Sequence, residues 1–227
     1  MLIIGEQSCM YMAKGPLLYK EKEIDAVETH IEKYFGHSES VFHEIVSPDL
    51  HIDLYIIEPT PERDYYTMVT VGAGAYVMNV PEGYEGPKRI EVLVNLPKDW
   101  DIKDDNEKNY WPLRWLKILA RLPMDEDSWL GWGHTITNEG PFAKNTKLSG
   151  ILLLEPSFHE DSAVAELPNK DEVLFLQMMP IYEEEMEFKI NNDAESLLEL
   201  FEEIPSIVDI KRQNVMKKER KPFFKRK

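Results

Sequence analysis

Four carboxylates crowd five positions at Glu183, Glu184, Glu185 and Glu187, after the apolar stretch 173–179 and Pro180-Ile181-Tyr182. Carboxylates perform acid–base catalysis when different surroundings split their proton affinities, and they hold divalent cations when they converge from fixed elements. Four near-neighbours on one connector between a strand and a helix meet neither condition. The run therefore reads as a solvated loop or, more sharply, as an acidic docking rim for a basic ligand.

His51 and Asp53 come next. Alternation along a strand puts both on one face, where they could share a metal or relay a proton, with Glu58 as third group of a metal-assisted hydrolase. The commoner use of such a pair is a solvated or partner-facing strand surface. His43-Glu44 and His159-Glu160 each open an HExxH zinc pattern, but Ser47 and Ala163 stand where the closing histidine belongs. The run 71–77, VGAGAYV, begins like a dinucleotide fingerprint, yet Val77 replaces the third glycine and Pro81 follows where a helix should start. Its glycines are read as letting the backbone turn or approach another segment closely. Cys9 is the single cysteine, has no identifiable base beside it and excludes an intramolecular disulfide. No catalytic nucleophile, metal or cofactor is assigned. Trp129 and Trp132, set among Gly131 and Gly133, could line a groove or pack in the core, and His134 is grouped with them as structure.

The elements that must position these residues follow from periodicity. Residues 20–36 place Ile24, Val27, Ile31 and Phe35 on one helical face, with Gly36 available to end the helix in a left-handed conformation. Residues 51–57 alternate as a half-buried strand, and 65–72, 90–96, 133–137, 148–154 and 173–179 read as further strands. A second helix spans 110–123, with Pro112 at its first turn and Pro123 at its end. A third, capped and amphipathic, spans 192–204. This order predicts an α/β (α+β) fold: a mixed, mainly antiparallel central sheet flanked by about three helices. A doubly wound fold is disfavoured because most strands lack a crossover helix.

At 227 residues and 43% hydrophobic, the chain can bury a sizeable core as one domain. Residues 1–212 are read as that single domain and 213–227 as a basic, disordered tail. The formal charge is −16, but residues 211–227 hold nine Lys/Arg and one Glu, so their +8 leaves −24 on residues 1–210. Such a body repels nucleic acid and favours a basic protein partner. The tail could pair with the acidic body, touch nucleic acid, or weakly attract anionic membrane through Phe223 and Phe224. No apolar run reaches the length of a membrane span and residues 1–6 lack signal-peptide character, so a cytoplasmic protein is expected. The partner-facing candidates are Asp53, Tyr55, Tyr66, Trp132, Glu183, Glu184, Glu185 and Glu187.

Spread over roughly residues 45–212, the chain resembles the Suppressor-of-fused family. The segments that carry the likeness are HIDLYIIEP at 51–59, YYTMVTVG at 65–72, IEVLVNL at 90–96, WPLRWL at 111–116 and WGHT at 132–135. It continues through LLLEP at 152–156, FLQMMPIYEEEM at 175–186, LLELF at 197–201 and IVDIKR at 207–212. The resemblance implies a SUFU-like sheet-and-helix domain without known enzymatic activity that binds other proteins. Animal members sequester Gli transcription factors by gripping an extended segment between two lobes, and this chain is similar to the amino-terminal lobe. They also carry an acidic residue where this chain has Ala73, so the Gli-contact chemistry is not carried over. Compact bacterial members are associated with polymorphic toxin systems as immunity proteins. The resemblance and the charge together point to a protein that neutralises a basic partner such as a nuclease toxin, with a regulatory adaptor as the alternative.

Overall fold

The computed structural model describes residues 15–43, 49–156 and 160–217. Cys9, Glu44, Ser47, His159 and the basic residues beyond 217 lie outside the described residues. One sheet organises the chain. Its strands are β1 (Ser40–Phe42), β2 (Asp53–Ile57), β3 (Tyr65–Val71), β4 (Arg89–Pro97), β5 (Thr135–Thr137), β6 (Gly150–Leu154), β7 (Val164–Glu166) and β8 (Glu172–Ile181). The order across the sheet is β1-β2-β3-β4-β8-β6-β5, with β7 also pairing β8. Among the strands of the described residues only β4 and β8 pair in parallel, and α2 (Glu107–Asp125) with β5, β6 and β7 makes up the long connection between them. The expected mixed, mainly antiparallel sheet is the sheet observed. The three-residue strands β1 and β7 are too short to leave a periodic signal.

Alternate residues of each strand point to opposite faces, and the central strands β4, β6 and β8 are buried on both. Ile52, Leu54 and Ile56 pack with Met68, Val92, Val94 and the α2 residues Leu113, Leu116 and Leu119 on one face. The opposite face carries α1 (Glu21–Tyr34), whose Val27 and Ile31, with Phe35, meet Val69, Leu93 and Phe175. Further along that face α3 (Glu183–Asn191) and α4 (Ala194–Leu198) cover Leu152, Met179 and Ile181. Gly36 has φ +115° and donates its N–H back to the Ile31 carbonyl, so it ends α1 as its position predicts.

Three helical expectations are corrected. First, α2 begins at Glu107, because the Asn106 side chain accepts from the Lys108 N–H (3.1 Å) and caps the helix before Pro112 is reached. Pro112 and Pro123 both lie inside it. A proline at 112 has no N–H for the Lys108 carbonyl, and Asn145 Nδ2 donates to that oxygen instead (3.2 Å). Second, the glutamate run is not a loop: it opens α3 as the helix's first turn. Acidic residues suit that position because they face the positive end of the helix dipole. Third, the helix expected over 192–204 is only the five residues of α4. Asp193 caps it as its residue type suggests, accepting from Ser196 N–H (2.7 Å), but the chain then tightens into i→i+3 turns at Leu200 and Phe201. The described residues therefore hold four α-helices where about three were expected.

Beyond Gln177, β8 loses its pairing with β4. Residues 205–209 take up this place: Val208 N–H donates to the Asn95 carbonyl (2.9 Å), and the Ser206 carbonyl accepts from Asn95 Nδ2 (2.9 Å) and Gln177 Nε2 (2.7 Å). This insertion carries the chain to Arg212 at the foot of α3.

Candidate functional site

The glutamates at the start of α3 divide by depth. Glu183 and Glu187 are exposed, Glu184 is half-buried and Glu185 is wholly buried. Helical spacing explains the split, since one residue in a run of consecutive positions must turn toward the sheet. Glu185 Oε1 and Oε2 receive Arg212 Nη1 (2.7 Å) and Nη2 (2.5 Å) as a fork. The same carboxylate accepts the Tyr182 and Val215 N–H groups, each at 3.0 Å. Arg212 in turn donates to the Pro180 carbonyl (3.0 Å) and lies over the rings of Tyr182 and Phe201. Each Glu185 carboxylate oxygen thus accepts two hydrogen bonds, the satisfaction that a buried charge demands. Glu185, placed with the partner-facing residues by sequence, is thus an internal anchor.

Glu184 stands beside it at the surface. It takes Asn214 Nδ2 (2.8 Å) and Lys217 Nζ (2.5 Å), and the Lys217 contact holds its carboxyl below the usual range. Residues 213–217, grouped with the tail by composition, pack here against α3. Between this segment and α3 lies an open groove of about 1170 Å³, whose walls include Glu183, Glu184, Phe188, Leu200, Glu202 and Met216.

A second cluster forms on β2. Asp53 Oδ1 lies 3.2 Å from His51 Nε2, and Oδ2 lies 3.0 Å from His43 Nδ1. The predicted His51–Asp53 pair is real, and His43, set aside as half of a chance zinc pattern, is its second partner. Nothing in the sequence signals that contact, because it depends on β1 pairing with β2. Glu58 does not join them. It follows Asp53 by five residues of extended chain, roughly 17 Å at 3.4 Å per residue, just past the end of β2. Among the described residues no group of three or more His, Cys, Asp or Glu side chains could hold a metal ion. The hydrolase constellation of His51, Asp53 and Glu58 is therefore not assembled.

The remaining candidates scatter. Tyr55 donates its hydroxyl to Glu28 on α1, and burial raises its pKa. Register places Tyr55 opposite Val69, so Tyr66, of the other parity on β3, lies on the opposite face of the sheet. Burial and then Glu58 raise the Tyr66 hydroxyl pKa. Trp132 is exposed, beside β5, whereas Trp129 packs on Tyr84 and on His134 as expected of a structural unit. From β2 to β5 is five strand spacings, about 24 Å at 4.8 Å each. Asp53 and Trp132 therefore occupy opposite margins of the molecule.

One buried group went unnoticed in the sequence. Glu91 of β4 is wholly buried and accepts from the Tyr19 hydroxyl (2.9 Å), the Thr70 hydroxyl (2.6 Å) and the Gly72 and Gly74 N–H groups (3.0 and 3.1 Å). Burial outweighs these donors and raises its pKa to about 7. A charged residue inside the apolar run Ile90–Leu96 was the available signal. The glycines do what was expected of them: Gly72 has φ +124°, and a Cβ there would stand 2.1 Å from the His51 carbonyl oxygen. Together they wrap one turn of backbone around a carboxylate and build no phosphate cradle.

The family model described as Suppressor of fused protein (SUFU) matches residues 48–213. No curated protein matches the chain. Among solved structures, a SUFU homolog from Neisseria gonorrhoeae superposes with TM-score 0.63 at 18% identity, covering 86% of this chain and 98% of that one. A crystal structure of the Sufu–Fu complex gives TM-score 0.64 at 16% identity over 88% of this chain and 93% of that one. Drosophila Suppressor of Fused gives 0.63 at 14% identity over 86% of this chain and 51% of that one. At these identities the superpositions establish a shared fold.

Proposed function

Because the chain belongs to the Suppressor of fused family, matched over residues 48–213, we propose that it is a protein-binding domain that neutralises a basic macromolecular partner without making or breaking a covalent bond. The observation that carries this reading is charge: −24 on residues 1–210 of a chain whose net charge is −16. A field of that sign accelerates encounter with cationic surfaces and repels phosphate backbones. Nuclease toxins are cationic where they hold phosphates, so an immunity role in the cytoplasm fits both the family and the field. Glu183 and Glu187, exposed on the first turns of α3, supply the steering rim, and Asp53 with its two imidazoles is a second polar patch at the far margin.

The test is a titration of the full chain against a basic nuclease encoded beside it. One equivalent should abolish nuclease activity, with affinity falling as salt rises. Failure to bind or inhibit any such neighbour overturns the reading. A second reading, a regulatory adaptor that sequesters another protein, is favoured by the likeness to the Sufu–Fu complex. Capture of a non-nuclease protein whose own activity is then suppressed would select it. In both, purified protein carries no stoichiometric metal.

A further inference from the structure

We propose that residues 218–227 of this chain dock into the groove between α3 and residues 213–217, as its intramolecular occupant. The groove is large, about 1170 Å³, against the roughly 300–1,000 Å³ of small-molecule pockets. Its walls include both carboxylates, Glu183, Glu184 and Glu202, and apolar side chains, Phe188, Leu200 and Met216, of which Leu200 and Met216 are 40% and 37% exposed. One further cation, Lys147, lines it. A ligand for such a surface needs several cations and a few apolar side chains on one short extended segment.

That composition is the one that follows. Residues 218–227, KERKPFFKRK, hold six Lys/Arg, one Glu, Phe223 and Phe224. Their point of entry is set by the described chain: Lys217 lines the groove and its Nζ already rests 2.5 Å from Glu184 Oε1. Ten residues span at most roughly 35 Å, enough to cross the groove. Tethering raises the local concentration to the millimolar range, so weak contacts suffice for occupancy. The docked segment would cover the rim that the proposed function gives to a partner and would have to be displaced by it. The docking itself does not rest on that reading, because it is measured on the chain alone.

Zero-length carbodiimide cross-linking of the full chain, read by peptide mass spectrometry, tests it. Amide bonds should join Lys221, Lys225 or Lys227 to Glu183 or Glu202, and a light/heavy isotope mixture should show them within one molecule. The double variant Phe223→Ser/Phe224→Ser keeps every lysine and carboxylate, yet should lower those yields roughly tenfold. Addition of about 0.5 M salt should lower them further. Links absent, spread over carboxylates of the whole body, formed only between molecules, or unchanged in the double variant would each overturn the proposal. Selective binding of the same residues to an added oligonucleotide, with no links to the groove, would also overturn it.

Discussion

Arg212 and Glu185 form a bidentate ion pair, Nη1 to Oε1 at 2.7 Å and Nη2 to Oε2 at 2.5 Å, at a depth where the carboxylate is wholly buried. It ties the segment after residue 205 to the first turn of α3, and so builds one wall of the groove. Removing one partner leaves the other charge buried and alone. Arg212→Ala should therefore destabilise the fold by about 3–5 kcal/mol. Urea unfolding of the double variant Arg212→Met/Glu185→Leu should recover a large part of that loss. A double variant as unstable as the sum of its singles would show that the pair is not coupled.

Gly72 should tolerate no side chain. Its φ of +124° is strained for other residues, and a Cβ would sit 2.1 Å from the His51 carbonyl, which is backbone and cannot step aside. Gly72→Ala should cost about 2–4 kcal/mol in thermal or chemical unfolding. Gly74→Ala meets the Tyr19 hydroxyl at 2.0 Å, the end of a side chain, so adding Tyr19→Phe should restore part of its stability. Equal and unrescued losses at both glycines would contradict this geometry.

Glu91 makes stability depend on pH in a direction opposite to that of an ordinary acid. Its folded pKa, about 7, lies above the unfolded value of 4.5. Its contribution is fully present below pH 4.5 and is lost as pH rises through about 7, on the order of 3 kcal/mol. His30 and His134, whose pKa values are lowered by burial, act in the other sense: their contributions are present above 6.5 and are lost as pH falls through their folded values. The comparison must therefore be with Glu91→Gln, where the amide oxygen can keep the Tyr19, Gly72 and Gly74 donors. Subtracting the variant's urea-derived stability from that of the parent should leave a difference that falls between pH 4.5 and about 7 and is flat above it. A flat difference would place the Glu91 titration elsewhere.

Reversing charge at Glu183 and Glu187 should slow partner association and leave the fold alone. Both are exposed on α3, so Glu183→Lys/Glu187→Lys should change stability by no more than about 0.5 kcal/mol each. Association with a basic nuclease, followed by stopped-flow at low salt, should slow roughly tenfold, and the difference should shrink near 0.5 M salt. An effect confined to dissociation would place the contact elsewhere.

Much of this protein can be read from local pattern, because period-two and helical spacing are properties of neighbouring residues. The alternation over 51–57, the apolar face of α1, the stop at Gly36 and the close approach at Gly72 needed no tertiary information. Family and charge are equally linear: the likeness is distributed along residues 48–213, and the acidic body is a sum over residues. What only the folded chain decides is which side chains meet. Glu185 cannot be told from Glu184 in the string EEEME, because only the position of Arg212, brought in by residues 205–209 between β4 and β8, draws one carboxylate inward and leaves its neighbours to solvent. His43 reaches Asp53 only through the pairing of β1 with β2, and Asp53, Tyr66 and Trp132 are kept apart by sheet order and strand parity. Contacts between residues far apart in sequence are fixed by packing, whose free energy belongs to the whole core and to no short window of the chain.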